Sequence, residues 1–374
     1  MIFSGKVEKY GMKKIAFHLN CLARAGAERV VTNLSAQFAA EGYEVVIATE
    51  WQEKEEYELD SRVRRVIVGP EGEEENKGRL ARIWLRYAKL RRFVKEERPD
   101  VLIAFGRKAN YRALTATLFM KQKVVVCCRT NPTGHYDLLA DKLQIPILFR
   151  HAAGFVFQTV GQRDFFPPFV RKNSTIILNP VNPKYIGIEP PTERAKEVVH
   201  SGRLVDFKNH PMLIRAFAKV HEKHPDYVLK LYGADSGDGT KEIIENLIEE
   251  LHAQDWVLLM GGSDELEKLL PKASVYAFSS DWEGLPNGVL EAMAMGLPVV
   301  STDCPCGGPA TMIRDGENGL LVPIMDENAM AEAICRLIED RELAERLGRN
   351  AAGIADIANG EAVFESWKSY LESL

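Results

Sequence analysis

Short apolar runs alternate with stretches of helical spacing along the first half of the chain. Lys14 to Asn20 is predicted as a strand, Glu28 to Glu41 as a helix, and Tyr43 to Thr49 as the next strand. The alternation continues with strands at Arg64 to Val68, Asp100 to Phe105, Val124 to Cys128 and Gly154 to Gln158, and a helix over Arg79 to Lys95. Strands that are almost entirely apolar indicate a parallel sheet with helices on both faces.

A second series of the same kind starts after Ile176 to Pro183, with Glu189 to Thr192 as the connector. It predicts strands at Val198–Ser201, Val228–Tyr232, Val257–Met260, Val275–Phe278 and Pro298–Ser301, and helices at Met212–Lys223, Lys241–His252, Leu266–Leu270 and Gly288–Met295. We therefore predict an α/β chain of two doubly wound parallel-sheet domains, 12–182 and 183–355, with ligands at the carboxyl ends of the strands. The remaining segment, 356–374, ends in one amphipathic helix from Glu361 to Leu374.

Composition narrows the function classes. The 374 residues are 46% hydrophobic and 27% charged, with a net charge of −5, which disfavours a protein held globally to nucleic acid. Met1 to Lys14 lacks the apolar core of a signal peptide, and no run is long enough to cross a bilayer, so we expect a cytoplasmic protein. Cys304 and Cys306 could form a metal-binding pair, but without a second Cys/His pair nearby they are interpreted as small buried thiols.

Ser279 to Pro298 is the segment richest in candidate chemistry. It follows a predicted strand and opens a helix, so backbone N–H groups from Gly284 to Val289 are available to an anion such as a diphosphate. Glu283 and Glu291 could accept hydrogen bonds from a polyol. Either carboxylate alone could instead be a favourable partner of the helix dipole, which is a purely structural role.

This segment resembles the Glu-x7-Glu motif of retaining glycosyltransferases of the GT4 family. Ser201-Gly202-Arg203-Leu204 with Lys208 is similar to the family's diphosphate clamp, and Gly26-Ala27-Glu28 resembles its glycine loop. The resemblance implies the GT-B fold of two facing Rossmann-like domains, with the C-terminal helix returning to the N-terminal domain. It also implies a nucleotide-sugar donor, with UDP expected, and a glycan acceptor.

The resemblance assigns roles to individual positions. Arg203 and Lys208 would neutralise the departing diphosphate, and Glu283 would bind hydroxyls of the transferred sugar. Donor contacts are implied for Gly26, Met260, Gly284, Leu285, Pro286, Asn287 and Glu291, of which Glu291 would hold the ribose. No cofactor or metal is expected, since GT-B enzymes replace the cation with basic residues and a helix dipole, and the chain contains no Asp-x-Asp.

The acceptor side departs from the family pattern. Many members carry a histidine after the fourth strand of the N-terminal domain, where this chain has Arg129, with His135 a few residues later. Either residue is a candidate for contact with the acceptor. A loop histidine is more often a bystander, which leaves the position open.

The predicted helix from Arg79 to Lys95 is basic and amphipathic. Arg82 and Arg86 are candidate acceptor-side residues, because such a helix can lie on anionic lipid or bind a pyrophosphate-linked lipid. A helix facing the core with a solvated basic face explains the pattern equally well. The motif sequences of this chain resemble those of transferases that extend polyprenyl-diphosphate oligosaccharides. This resemblance implies a lipid-linked acceptor and a peripheral location on the inner face of the plasma membrane.

Two other functions remain open. A sugar-binding protein of the periplasmic type would share the two-domain architecture but would need a signal peptide. A GT-B nucleotide-sugar epimerase would share the fold, although the Gly-Arg and Glu-x7-Glu set does not match that group. Both are alternatives to glycosyl transfer.

Overall fold

The computed structural model describes residues 12–23 and 26–374, which form two compact units. The first comprises residues up to Phe157, Arg163–Ile177 and Phe364–Leu374, and the second comprises Gln158–Gln162 and Leu178–Val363. No helix among these residues has the length and apolarity needed to cross a bilayer.

The first unit is built on a seven-stranded parallel sheet with the order β3-β2-β1-β4-β5-β6-β7. Its strands are β1 Lys14–Leu19, β2 Glu44–Thr49, β3 Arg64–Ile67, β4 Val101–Phe105, β5 Lys123–Cys127, β6 Gly154–Phe157 and β7 Ser174–Ile176. Its helices are α1 Gly26–Ala40, α2 Arg79–Glu97, α3 Arg107–Ala116, α4 Leu139–Leu148, α5 Val160–Asp164, which runs into the second unit, and α6 Pro168–Lys172. Every residue of β4 is buried, as expected of a strand covered on both faces.

The second unit contains a six-stranded parallel sheet with the order β10-β9-β8-β11-β12-β13. Its strands are β8 Ala195–Ser201, β9 Val228–Tyr232, β10 Val257–Gly261, β11 Ala273–Phe278, β12 Val299–Thr302 and β13 Leu320–Val322. Its helices are α7 His210–Lys223, α8 Thr240–Glu250, α9 Leu266–Leu269, α10 Asn287–Ala294, α11 Gly308–Met312, α12 Glu327–Glu339, α13 Arg341–Ala352 and α14 Ile354–Ala358. Val198 and its neighbour Val199 join different hydrophobic clusters, which explains why β8 is apolar at both positions.

The last helix, α15 Gly360–Glu372, begins in the second unit and packs mainly in the first. Trp367 is fully buried there and stacks on Phe105 with ring centroids 5.9 Å apart. Phe364 packs edge-on against Phe38 at 4.8 Å. The C-terminal segment therefore completes the core of the N-terminal unit, as the resemblance implied.

Candidate active site

The carboxyl end of β8 carries the two predicted clamp residues. Gly202 follows the strand, and a Cβ placed on it would lie 3.4 Å from Cε and 3.6 Å from Nζ of Lys208, so the lysine lies directly against this backbone. The next residue, Arg203, is exposed, and its side chain has no hydrogen-bond or ion-pair partner within the described residues. One cation at this strand end is therefore held by the fold, and the other is available to a ligand.

Lys208 forms an ion pair with Glu283. Both side chains are 14% exposed, and the ammonium group lies 4.6 Å from the centroid of the Phe278 ring. Ser280 Oγ is 3.5 Å from the same Glu283 oxygen. Lys208, predicted to bind phosphate, and Glu283, predicted to bind sugar, are thus in direct contact.

The loop before Glu283 is tied to the segment that carries Lys208. Asp281 N donates to Phe207 O at 2.9 Å, and Asn209 Nδ2 donates to Asp281 Oδ1 at 2.8 Å. The rings of Phe207 and Trp282 stack with centroids 4.2 Å apart. These contacts position the ion pair, and sequence reasoning missed them; the only local signal was the polar Asn209 directly after Lys208.

β8 and β11 are neighbours in the sheet, and the strand order reverses between them, which is where ligands bind in doubly wound sheets. Helix α10, which follows β11, begins at Asn287 close to the end of β8. A Cβ on Gly288 would lie 2.6 Å from Tyr276 Oη and 2.9 Å from Ser201 O, so only glycine allows this approach. The backbone N–H groups of the first helical turn therefore lie beside the end of β8 that carries the two clamp residues.

The other predicted donor residues have different environments. Leu285 is buried in the core, so only its backbone is available to a ligand. Asn287 accepts a hydrogen bond from Asn179 through its side-chain oxygen at 2.9 Å. A Cβ on Gly308 would lie 2.0 Å from Gly284 O and 2.8 Å from Pro286 Cδ, so α11 closely supports this loop.

Glu291 and Met260 lie at the same edge of the sheet. Glu291 is half-buried on α10 and acts electrostatically on Tyr185 and Tyr276. Met260 is exposed near the end of β10 and is followed by Gly261, whose φ of 70° lies in the left-handed region. The carboxyl ends of β8, β10 and β11 thus carry the predicted donor residues of the second unit, whereas Gly26 belongs to the first.

Two buried histidines lie beneath this edge. His200 and His210 are fully buried, with ring centroids 4.8 Å apart. His200 Nδ1 donates to Ala277 O at 2.9 Å. Burial, followed by the positive charge of Lys208, lowers the pKa of His210 to about 4, and burial and the neighbouring His210 and Lys208 hold the pKa of His200 well below its usual value. Both are neutral at pH 7, so Arg203 and Lys208 carry the positive charge.

The candidates in the first unit are more dispersed. Gly26 is exposed as the first residue of α1, and Arg24 and Ala25 directly before it lie outside the described residues. Arg129 follows β5, with its guanidinium 5.2 Å from the centroid of Phe105 and 5.5 Å from that of Trp367. Burial lowers the Arg129 pKa.

His135 is exposed in a turn, where its backbone N–H donates to Pro132 O at 3.0 Å.

Helix α2 divides into two halves. Arg86 Nε lies 2.8 Å from Glu50 Oε2, and Arg112 Nη1 lies 3.1 Å from Glu50 Oε1, so the buried carboxylate neutralises a residue predicted to face an acceptor. Leu90 and Val94 are buried as a core-facing helix requires, whereas the predicted apolar residues of the first half, Leu80, Ile83 and Trp84, are exposed. Arg82 is half-buried.

None of the six cysteines, all of which lie in the described ranges, forms a disulfide. Cys304 is buried, as predicted, and Cys306 is partly buried.

Comparison with known proteins bears on the family and the fold of the chain. The sequence profile of glycosyl transferases group 1 matches residues 182–353, and that of glycosyltransferase family 4 matches residues 24–184. An N-acetylgalactosaminyltransferase of Campylobacter jejuni that acts on N-acetylgalactosamine-N,N'-diacetylbacillosaminyl-diphospho-undecaprenol is 28% identical over 344 residues, covering 89% of this chain and 92% of that protein. The amylovoran biosynthesis glycosyltransferase AmsD of Erwinia amylovora is 22% identical, covering 92% and 95%.

Among solved structures, Anabaena HepE in complex with UDP matches with a TM-score of 0.80 and 17% identity, covering 97% of this chain and all of that one. At this identity the match shows the fold. The two parallel sheets and this structural match show the GT-B fold, and the two adjoining profile matches show that the chain belongs to the GT4 family of glycosyltransferases.

Proposed function

We propose that this chain is a retaining glycosyltransferase that moves a hexose or N-acetylhexosamine from a UDP-sugar to a polyprenyl-diphosphate-linked glycan. The family membership supports the reaction class, and the UDP complex of the HepE neighbour supports the donor. The names of the Campylobacter and Erwinia relatives support an acceptor from lipid-linked glycan or surface polysaccharide assembly.

The observation that carries the proposal is the charge arrangement at the adjoining ends of β8 and β11. Arg203 has no side-chain partner among residues 12–23 and 26–374, Lys208 is held nearby by Glu283, and the first turn of α10 lies at the same edge with its N–H groups. Negative charge grows on the diphosphate as the sugar departs, and two cations with a helix N-terminus stabilise it. The proposed transfer therefore requires no metal ion.

The carboxylates complete the proposed donor site. Glu283 would accept hydrogen bonds from hydroxyls of the transferred sugar, and Glu291 would accept them from the ribose. In the proposed retaining reaction, the acceptor hydroxyl attacks from the face of the leaving group. Its proton passes to the departing phosphate oxygen, so no enzyme nucleophile is required.

The donor site can be tested by measuring UDP release with and without a polyprenyl-diphosphate glycan. Arg203→Ala and Lys208→Ala should each remove about 2–4 kcal/mol of transition-state stabilisation, which lowers kcat/KM about 30- to 900-fold. Lys230→Ala is the matched control, because Lys230 pairs with Glu197 at 2.5 Å in the middle of their strands, at a similar degree of burial.

Near-normal kcat/KM for both clamp variants would contradict the assignment. An epimerised UDP-sugar formed without any acceptor would replace the transferase proposal with the epimerase.

We further propose that the first unit makes a peripheral contact with the anionic inner face of the plasma membrane. Helix α4 exposes an apolar stripe at i, i+4 spacing, with Leu139 77%, Leu143 65% and Ile147 64% exposed, and its one acidic residue, Asp141, is buried. The first half of α2 exposes Trp84 among basic side chains. Apolar stripes flanked by cations suit the boundary between lipid headgroups and acyl chains.

Flotation with liposomes containing anionic lipid tests this contact. Leu143→Glu together with Ile147→Glu should abolish co-flotation at low salt and leave UDP release with a water-soluble acceptor analogue unchanged. Phe119→Glu is the control, since Phe119 is 98% exposed outside both helices. Failure of the wild type to float would refute the contact without affecting the donor site.

A further inference from the structure

Three side chains with metal-binding atoms meet in the second unit at the ends of two packed helices. His224 terminates α7 at its C-cap, and Cys335 and Glu339 lie on α12. One donor atom from each residue lies within 4.8 Å of the other two, and His224 Nε2 is 3.0 Å from Glu339 Oε1. Cys335 is 4% exposed, whereas the glutamate opens to solvent.

The spacing and chemistry of these groups suit a metal ion of borderline softness, which accepts nitrogen, sulfur and oxygen ligands. Cys335 and Glu339 are four residues apart on one helix, the spacing that places two ligands on the same face. Imidazole nitrogen, thiolate sulfur and carboxylate oxygen are all zinc ligands, and in a tetrahedral site such atoms lie about 3.3–3.8 Å apart. A shift of about 1 Å in flexible side chains brings the present spacing into that range.

We propose that His224, Cys335 and Glu339 bind a Zn²⁺ ion, with water as the fourth ligand. The site is separate from the proposed donor site and has no role in the chemistry of transfer.

Helix polarity favours a cation at this position. α7 ends at Lys223 and α12 ends at Glu339, so the negative ends of two helix dipoles lie beside the three ligands. Glu332 and Lys223 also act electrostatically on Cys335, with opposite signs.

The bound ion would join the C-terminal ends of α7 and α12. The opposite end of α7 begins at His210, two residues after Lys208, so the ion would fix the helix that leads away from the proposed clamp. Its predicted effect is on stability, because an ion that binds only the folded state raises the unfolding temperature.

Titration of the reduced, tag-free chain with Co²⁺ and with Zn²⁺ tests the site. We expect one ion per chain and the near-ultraviolet charge-transfer band of a cobalt–thiolate bond. Cys335→Ser should remove the band, and Glu339→Gln should weaken binding about tenfold or more. Zn²⁺ should raise the unfolding temperature of the wild type relative to chelator.

The matched control is Glu327→Gln, which removes a carboxylate from the same helix. Glu327 pairs with Lys219 of α7 at 3.2 Å, so this variant also breaks a link between the two helices but should keep the band and the affinity. If Cys335→Ser does not fold, Glu339→Gln, whose side chain is solvent-exposed, still decides the question. Absence of a thiolate band in the wild type, or equal affinity of Glu339→Gln and the wild type, would overturn the proposal and leave His224 and Glu339 as an ordinary ion pair.

Discussion

Gly288→Ala tests whether the close packing of α10 against the end of β8 positions the proposed donor site. The added Cβ would lie 2.6 Å from Tyr276 Oη, inside a core where Tyr276 is fully buried. That hydroxyl lies 3.1 Å from Ser201 Oγ and 3.2 Å from Ser201 O. To lengthen the distance between the new Cβ and Tyr276 Oη to an ordinary contact of 3.4 Å, one of the two groups must move by about 0.8 Å. Either the tyrosine hydroxyl or the first turn of α10 must move.

The cost follows from these contacts. Overpacking a close-packed site costs about 1–3 kcal/mol, partly offset by the preference of a helix for alanine over glycine, up to about 1 kcal/mol. The expected fall in unfolding temperature is several degrees, at about 2–4 °C per kcal/mol. In the proposed donor site these N–H groups would face the diphosphate, so a shift of nearly 1 Å should lower kcat/KM about 100-fold.

UDP release and thermal unfolding are measured together for Gly288→Ala and for the double variant with Tyr276→Phe. The double variant removes the oxygen nearest to the new methyl group and should regain part of the activity and stability. Gly78→Ala is the control, because a Cβ there meets no atom within 4 Å. Wild-type kcat/KM in Gly288→Ala would refute the argument that this approach positions the site.

Two further predictions concern stability. The pKa of His18 is lowered to about 3 and that of His210 to about 4, mainly by burial, so the unfolded chain takes up protons first as the pH falls. Their contribution to the free energy of unfolding is complete above pH 6.5 and declines below it. At pH 5 urea unfolding should show a loss of about 2 kcal/mol per histidine relative to neutral pH. An equal free energy of unfolding at pH 7.5 and pH 5 would contradict this. Trp367→Ala should cost about 3–5 kcal/mol, since the ring is fully buried against Phe105, whereas the exposed Trp84→Ala should change the free energy of unfolding by less than about 0.5 kcal/mol.

The sequence by itself determined the class of fold and most of its elements. Apolar runs such as Val101–Phe105 predicted buried parallel strands, because a strand covered on both faces has no polar side. The structure confirms these strands and the helices between them to within a few residues. Strands β7 and β13 and helices α3 to α6 and α11 to α14 were not among the predicted elements, although in α12 Met330, Ile334 and Leu337 are buried at helical spacing.

Only the tertiary structure decided which of these residues touch. Lys208 and Glu283 are far apart in the chain and meet because β8 and β11 are neighbours in a parallel sheet. Arg86 has the spacing of an exposed basic residue, yet it pairs with the buried Glu50 directly after β2. Local spacing sets which face of a helix or strand a side chain occupies, whereas its partner depends on strand order and on packing between distant segments.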